Sequence, residues 1–243
     1  MNAIKTEVSI VLAGQFAPDD FHPNKLAGGR VIARKVAESA SITALITMHT
    51  LQFKLSWADI LVQENRFQVT SLEAPHIRIC DLVLKALGDL SPSSTVLQFG
   101  INVGCHYDFG SSDARNEFGK RIAPPDAWGP WGCEILESMA GPHKGTSLQG
   151  GVMSVHMRQP FVEDRLTGWR DVVVVASTEV SNNTGVFIRS NHHHQLTNLD
   201  PDSEVSTQPS QEGKDTSFLL SVLSTRFEKS VDDSLSIFEG VIV

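Results

Sequence analysis

The sequence predicts an α+β fold, in which a largely antiparallel, twisted sheet carries helices on one face and a C-terminal helix closes the chain. Three observations lead to it. From Leu97 to Phe109 apolar and polar side chains alternate, which indicates a strand with one apolar face. Pro75–Leu90 repeats apolar residues at helical spacing. Strands and helices follow one another in groups rather than as βαβ units, which favours α+β.

The first part of the chain is predicted to hold mostly strands. The predicted elements are, in order, strand Val8–Phe16, helix Leu26–Ala40, strand Ile42–Leu55, hairpin Ile60–Thr70 and helix Pro75–Leu90. The hairpin prediction depends on the polar turn Glu64-Asn65, which separates two short runs of alternating apolar residues. The helix prediction is supported by Pro75 in its first turn and Gly88 near its end.

The second part is predicted to hold short helices, a meander of strands and the closing helix. The predicted elements are short helices Asp113–Phe118 and Glu134–Met139, strands Leu148–Val162, Asp171–Val180 and Thr184–His194, and helix Phe218–Val243. The unbroken apolar run Val172–Ala176 indicates a central strand covered on both faces. Asn198–Thr216 has almost no apolar side chains and is predicted to be a mobile loop. We interpret residues 1–243 as a single domain.

Composition limits the classes of function. The chain has 243 residues, a net charge of −8 and no dense basic cluster, which argues against nucleic-acid binding. Its three cysteines form no CxxC pair, which is typical of a reduced, intracellular protein. No run approaches the ~18 apolar residues of a membrane helix, and Glu7 precedes a short apolar run that makes a poor signal peptide. We expect a cytoplasmic protein that binds neither nucleic acid nor membranes.

The polar face of the strand from Leu97 is the first candidate site. Gln98, Asn102 and His106 lie on one face, and Gly100 and Gly104 separate them. Glycine lets a ligand or another backbone approach a strand closely. The face therefore either binds a ligand or is crossed by another segment that bonds these side chains, and we favour the second, structural interpretation.

The second candidate is the run from Asn191 to His194. On a strand, His192 and His194 share a face, and imidazole binds zinc, nickel or iron. With His106 or His156 nearby, they would form a three-histidine metal site. The sequence has no HExxH motif, and polar residues are expected at a strand end, so we favour a solvated strand end.

The third candidate is the segment rich in glycine, proline and tryptophan that contains Arg121, Trp128 and Trp131. Exposed tryptophans among prolines would form a patch that binds a protein or a ligand. Large aromatic side chains are mostly buried, which favours an irregular lid whose tryptophans plug the core. Cys105, on the apolar side of its strand, is excluded as a nucleophile, and no GxSxG, Walker A or dinucleotide motif is present.

Three segments carry a resemblance to known proteins. They are GINVGCHYDFGSSDARNEFGKRIAPPDAWG, LQGGVMSVHMRQP and ASTEVSNNTGVFIRSNHHHQL. Together they resemble a family of bacterial proteins of unassigned activity that share a G-I-N-x-x-x-H strand, an A-P-x-x-x-W turn and a G-V-x-I-x-x-N-x-H strand. The resemblance covers about residues 97–196. It implies a single α+β domain and no particular reaction, and its motif positions are Asn102, His106, Trp128, Asn191 and His193.

Because no catalytic set of residues stands out, we expect a non-catalytic protein that binds another protein, as an accessory component or by self-association into a homo-oligomer. Sheet edges and the tryptophan-rich segment are the expected contact elements. No cofactor is expected. The alternative is an enzyme that binds a metal or a small ligand through the polar sheet face and His192–His194. The candidate ligand-binding residues are Gln98, Asn102, His106, Asn191, His193, Trp128 and Arg121, and the weaker metal candidates are His192, His194 and His156.

Overall fold

The computed structural model describes residues 1–46, 49–91, 93–140, 151–197 and 209–243. One open, antiparallel sheet of nine strands runs through these residues, which confirms the predicted α+β fold with helices and a C-terminal helix. The strands are β1 (Lys5–Gln15), β2 (Ser41–Ile46), β3 (Thr50–Lys54), β4 (Ala58–Gln63), β5 (Arg66–Ser71), β6 (Thr95–Asp108), β7 (Ser154–Val162), β8 (Leu166–Ala176) and β9 (Gly185–Leu196). Their order across the sheet is β2-β3-β4-β5-β1-β6-β9-β8-β7.

Six α-helices accompany the sheet in the described residues. They are α1 (Pro23–Gly28), α2 (Arg34–Glu38), α3 (Ile77–Lys85), α4 (Ser112–Ile122), α5 (Pro130–Ala140) and α6 (Pro209–Ile242). The predicted hairpin Ile60–Thr70 is confirmed as β4 and β5, and α3 with the wider turn Ala86–Leu90 confirms the helix predicted after Pro75.

The two faces of the sheet have different surroundings. The face that we call the helix face packs against α3 and α6, and it includes Val8, Ile10 and Leu12 of β1, all fully buried. The opposite face, which we call the open face, includes Glu7 and Ser9 of the same strand, both only half-buried. Because successive strand residues point to opposite sides, the period of two along β1 produces this difference.

The closing helix α6 is longer than predicted. Its apolar stripe, which includes Leu219, Leu223 and Phe227, is buried against the sheet as the helical spacing requires. The predicted loop Asn198–Thr216 is wrong over 209–216, which belongs to α6, while 198–208 lies outside the described residues. Thr216 is buried and its hydroxyl accepts a hydrogen bond from the Val96 backbone N–H at 3.0 Å.

Three other predicted elements differ from the structure. The predicted helix Leu26–Ala40 is two short helices, α1 and α2, separated by a turn in which Arg30 has a φ of 60°. The predicted strand Ile42–Leu55 is a hairpin of β2 and β3. Val172–Ala176 lies on β8, which is next to the edge strand β7 rather than central, and most of its side chains are only half-buried.

A β-bulge interrupts the alternation of β6 at its start. Ala13 pairs with Gln98 and Gly14 pairs with Val96, so Leu97 is the extra residue on β6. The side chain of Leu97 is 61% exposed, and its predicted burial is therefore wrong. From Phe99 onward the apolar residues of β6 are buried on the helix face as predicted.

Candidate functional site

One row of cross-strand neighbours on the open face is polar in every strand of the sheet. It consists of Ser41, Lys54, Asp59, Thr70, Ser9, Asn102, Asn191, Asp171 and Arg158. Residues that stand opposite each other on neighbouring strands share a face, so these side chains form a continuous band. No helix that the structure describes packs on this side of the central strands.

The middle of the band is a cleft of about 450 Å³. Asn102 and Asn191, which are direct cross-strand partners, line it together with Ser9, Gln68 and Thr70. A second hollow of about 540 Å³ adjoins the cleft, shares Asn102 and Asn191 with it, and adds Gln98 and His193 to its lining. The structure thus brings four of the predicted ligand-binding residues, Gln98, Asn102, Asn191 and His193, to one continuous surface.

The two glycines of β6 make room for side chains of the neighbouring strand. A Cβ atom at Gly100 would lie 2.6 Å from Oδ1 of Asn191, and one at Gly104 would lie 2.6 Å from the ring of Phe187. In the described residues, side chains of β9 therefore occupy the space above these two glycines. The sequence predicts either a ligand or a crossing segment at this place. The close approach to Gly100 fixes the position of Asn191 beside Asn102.

Ionic and aromatic contacts order the β7–β8 side of the cleft. Arg158 donates two hydrogen bonds to Asp171, at 2.7 and 2.8 Å, and these lower the pKa of Asp171. Nε2 of His156 lies 3.3 Å from Oδ1 of Asp171. The Trp169 ring lies between the Arg158 guanidinium, 4.5 Å from its centroid, and the His193 ring, stacked at 3.9 Å. His156 therefore stands at the rim, and His193 is held by stacking.

Two buried polar atoms on the open face have no hydrogen-bond partner among the described residues. They are Oδ1 of Asn191, an acceptor, and Nε1 of Trp169, a donor. Buried polar atoms are normally paired, because an unpaired one costs about 1–3 kcal/mol. These atoms lie on adjacent strands, and they leave the open face with hydrogen-bonding capacity that the fold does not use.

His106 is buried at one end of the cleft, beneath the loop that follows β8. Its Nδ1 lies 2.8 Å from the Ser177 hydroxyl, which accepts hydrogen bonds from the backbone N–H groups of Glu179 and Val180. The Ser177 hydroxyl therefore donates its own proton to Nδ1 of His106, and the ring hydrogen of His106 is on Nε2. Nε2 lies 3.9 Å from a carboxylate oxygen of Glu7. Burial lowers the pKa of His106, and its ring stacks on Phe187 at 4.3 Å.

Glu7, His106 and Glu179 place three potential metal-ligand atoms within 4.8 Å of one another. Lys5 already bridges the two carboxylates, because its Nζ lies 2.9 Å from Glu7 and 3.0 Å from Glu179. These contacts raise the pKa of Lys5, which keeps its ammonium charged. The lysine therefore already contacts both carboxylates and balances one of their two negative charges.

His192 and His194 lie on the helix face, opposite Ile101 and Phe99 of β6. Nε2 of His192 lies 3.1 Å from the hydroxyl of Ser234 on α6, and Nδ1 of His194 lies 3.1 Å from the His192 carbonyl. Burial is the main cause that lowers the pKa of each imidazole to about 4. The sheet separates these two residues from His106 and His156, so the predicted three-histidine metal site does not assemble.

The remaining two candidates, Arg121 and Trp128, lie away from the cleft. Arg121 donates hydrogen bonds to the last carbonyls of α6, at 2.7 Å to Val241 and 3.0 Å to Ile242, as a cation at a helix C-terminus commonly does. Trp128 and Trp131 are each 56% exposed, so the prediction that they plug the core is wrong. They line an apolar hollow of about 370 Å³ next to Met153.

Several residues of the open face were missed by the sequence interpretation, among them Ser9, Thr70, Arg66 and Arg189. The alternation that places polar residues on one face is present in both β1 and β5, for example in Arg66-Phe67-Gln68-Val69-Thr70. That signal identifies a polar face in each strand. The order of strands in the sheet was needed to bring these faces together.

No protein-family model matches the chain, and no curated protein matches it. The functional interpretation therefore depends on the geometry of the open face. The motif resemblance therefore stays a prediction. Four of its five positions, Asn102, His106, Asn191 and His193, are on the open face, and Trp128 is elsewhere. Within the described residues, no helix has both the length and the apolar character needed to span a membrane.

Proposed function

We propose that this is a non-catalytic, cytoplasmic binding protein whose open face is the contact surface for another protein or for a second copy of the chain. The observation that carries the proposal is the polar band, which crosses all nine strands and has no described helix over it. With strands ~4.8 Å apart, the band is roughly 38 Å long. A surface of this length is sufficient for a protein–protein interface of ordinary size.

The composition of the cleft supports binding more than catalysis. Its floor is formed by amides and hydroxyls, such as Asn102, Asn191 and Ser9, which do not exchange protons near neutral pH. Its two carboxylates, Glu7 and Asp171, are occupied by Lys5 and Arg158. Apolar side chains lie among the polar ones, as is usual for the surface of a protein interface.

We favour binding over the metal-dependent enzyme because the enzyme hypothesis depends on histidines that converge. Its residues lie on two sides of the sheet, with His192 and His194 against α6 and His156 at the rim of the open face. In the Glu7–His106–Glu179 cluster, Lys5 already contacts both carboxylates.

The proposal can be tested with variants that fill the cleft and leave the core unchanged. Asn102→Trp and Ser9→Trp place an indole in the cleft, and Asp232→Trp places one on an exposed position of α6 as the matched control. Each variant is produced in the cells from which the gene comes, and the bound proteins are quantified by mass spectrometry after size-exclusion chromatography. A partner or second copy that stays with wild type and Asp232→Trp, but is lost from both cleft variants, supports the proposal. Equal retention by all four proteins overturns it.

A further inference from the structure

Three carboxylates of the open face are each paired with a cation of the same face, while Asp108 accepts hydrogen bonds from the Gly110 N–H and the Thr184 hydroxyl instead. Glu7 lies 2.9 Å from Lys5, Asp171 lies 2.7 Å from Arg158, and Asp59 lies 3.5 Å from Lys54. Paired charges of this kind contribute little net attraction to a distant ligand, because each cancels its neighbour. The charge that remains on the face is therefore carried by other residues.

Two arginines that line the same cleft, Arg66 and Arg189, have no carboxylate partner among the described residues. Arg189 is exposed. Arg66 donates one hydrogen bond to the Gln68 side chain, at 2.5 Å, which leaves most of its guanidinium free. In a chain with a net charge of −8, this cleft therefore offers two arginine side chains to an acidic ligand.

The register places the two arginines at opposite ends of the cleft. Arg66 is the cross-strand partner of Ala13, which is in turn the partner of Gln98 on β6. Arg189 is the cross-strand partner of Gly104, six residues further along β6. Six residues along a strand and three strand spacings separate their Cα atoms by roughly 25 Å. Their long side chains shorten this distance, but a single phosphate or carboxylate group is too small to contact both.

From this geometry we propose that the open face binds an extended, acidic segment of a partner protein, with carboxylates near its two ends at Arg66 and Arg189. The inference rests on the proposed function and names the chemistry of the partner. Between the arginines, the amides of Asn102 and Asn191 and the hydroxyl of Ser9 can bond to the main chain of an extended peptide. Arginine forms strong, bidentate hydrogen bonds with carboxylates.

A protein segment fits this face better than a nucleic acid. Nucleic-acid affinity comes mainly from several lysines and arginines that neutralise successive phosphates. The open face offers two unpaired arginines, and Asp171 and Glu7 stand between and beside them, where they would face a phosphate backbone. A short peptide with its acidic groups confined to its ends brings fewer negative charges near these carboxylates than a phosphate backbone does, and Lys5 and Arg158 pair with Glu7 and Asp171.

The probe for the test is a fluorescein-labelled peptide of nine residues, with two aspartates at each end and serine, threonine and glycine between them. Nine extended residues reach up to ~30 Å, enough to span both arginines. Its affinity is measured by fluorescence anisotropy for wild type, Arg66→Gln, Arg189→Gln and the control Arg34→Gln. Arg34 is an exposed arginine of α2, so its change removes the same charge from a different surface.

We expect each cleft variant to bind the peptide about tenfold more weakly than wild type, and the double variant about a hundredfold more weakly. Arg34→Gln should bind within about twofold of wild type, and the affinity of the wild-type protein should fall with added salt. A peptide with asparagines in place of the aspartates should lose most of the affinity. Equal binding of the two peptides, or no binding of the acidic one, would overturn the inference.

Measuring the arginine variants in the chromatography and mass-spectrometry experiment as well separates this inference from the proposed function. If Asn102→Trp abolishes the binding of a natural partner but the arginine variants retain it, the open face remains the contact surface and the acidic chemistry is wrong. If neither change affects that partner, both proposals fail. If inorganic phosphate or duplex DNA binds wild type more tightly than the acidic peptide does, the arginines recognise phosphate and the inference is overturned.

Discussion

The run from Asn191 to His194 sends two polar side chains to each face of the sheet, and the two faces treat them differently. On the helix face, His192 joins Ser190, Ser234 and the Ser230 carbonyl in a chain of hydrogen bonds of 2.5–3.1 Å. On the open face, Asn191 keeps a buried oxygen that has no partner in the described part of the chain, and His193 stacks on Trp169.

The difference shows what a polar residue in a strand can do. Where a helix covers the sheet, polar side chains are buried and bond to that helix, so they hold α6 on the sheet. Where no described helix covers it, the same residue types line a cleft and retain unused hydrogen-bonding capacity. Changes on the helix face should therefore affect stability, and changes on the open face should affect binding.

The strongest contrast is expected between two adjacent residues of β6. Ile101 is fully buried on the helix face, and Asn102 is half-buried on the open face. Ile101→Ala should lower the free energy of unfolding by about 4 kcal/mol, because it removes buried methyl groups and leaves a cavity. Asn102→Ala should lower it by less than about 1 kcal/mol. Urea unfolding measures both, and similar losses would show that the open face is covered.

A second contrast uses two serines of α6. Ser234 is fully buried in the hydrogen-bond chain with Ser190 and His192, and Ser236 is exposed. Ser234→Val should destabilise the protein by roughly 3 kcal/mol, because it leaves buried polar groups unpaired and adds a methyl group to a packed site. Ser236→Val should change stability by no more than about 0.5 kcal/mol. Equal effects would mean that the network does not hold α6.

The helix-face histidines should make the protein sensitive to acid. The pKa values of His192 and His194 are lowered to about 4 in the folded protein, and an unfolded histidine titrates near 6.5. Below pH ~6.5 the unfolded chain binds protons that the folded chain does not. The contribution of these two histidines to stability is therefore fully present above pH ~6.5 and is lost as the pH falls to about 4. Each histidine should contribute on the order of 3 kcal/mol to this loss.

His194→Phe tests that pH dependence. Phenylalanine retains the contacts with Phe99 and Phe161 but binds no proton. The loss of stability between pH 7 and pH 4, measured by urea unfolding, should be smaller by about 3 kcal/mol than in wild type. The carboxylates contribute equally to the pH dependence of stability in both proteins, so the difference between the two reports the histidine. A pH dependence in His194→Phe that is parallel to that of wild type would contradict the account.

The smallest effect is expected at the rim of the cleft. Arg158→Met removes the guanidinium that holds down the pKa of Asp171 and keeps an unbranched side chain near Trp169. The pKa of Asp171, followed by NMR, should rise toward its ordinary value. Lys35→Met, on α2, should leave it unchanged. An unchanged pKa in Arg158→Met would mean that this ion pair does not form in solution.

The sequence predicts the faces of individual strands better than the surface that they form together. Alternation correctly placed Phe99, Ile101 and Val103 in the core and Asn102 on the opposite face. It failed at Leu97 because a bulge adds one residue there, and the alternation of one strand does not reveal a shift in its pairing with another.

The histidine run shows a second limit. The alternation correctly put His192 and His194 on one face, but it did not identify which face, because a shift of one residue in the pairing with β6 exchanges the two. Polar character suggested the solvated side, and Ser190, Ser230 and Ser234 instead make the buried side polar. Those serines come from two elements that are adjacent only in the folded chain.

The most direct test of the account is site-specific photo-cross-linking from the two sides of the sheet. A benzophenone-bearing amino acid is introduced at the position of Ser9, on the open face, or at the position of Ser236, on the exposed side of α6. The account predicts covalent adducts with a partner protein, or with a second copy of the chain, from the Ser9 position and none from the Ser236 position. Adducts from Ser236 alone, or equal yields from both positions, would contradict it.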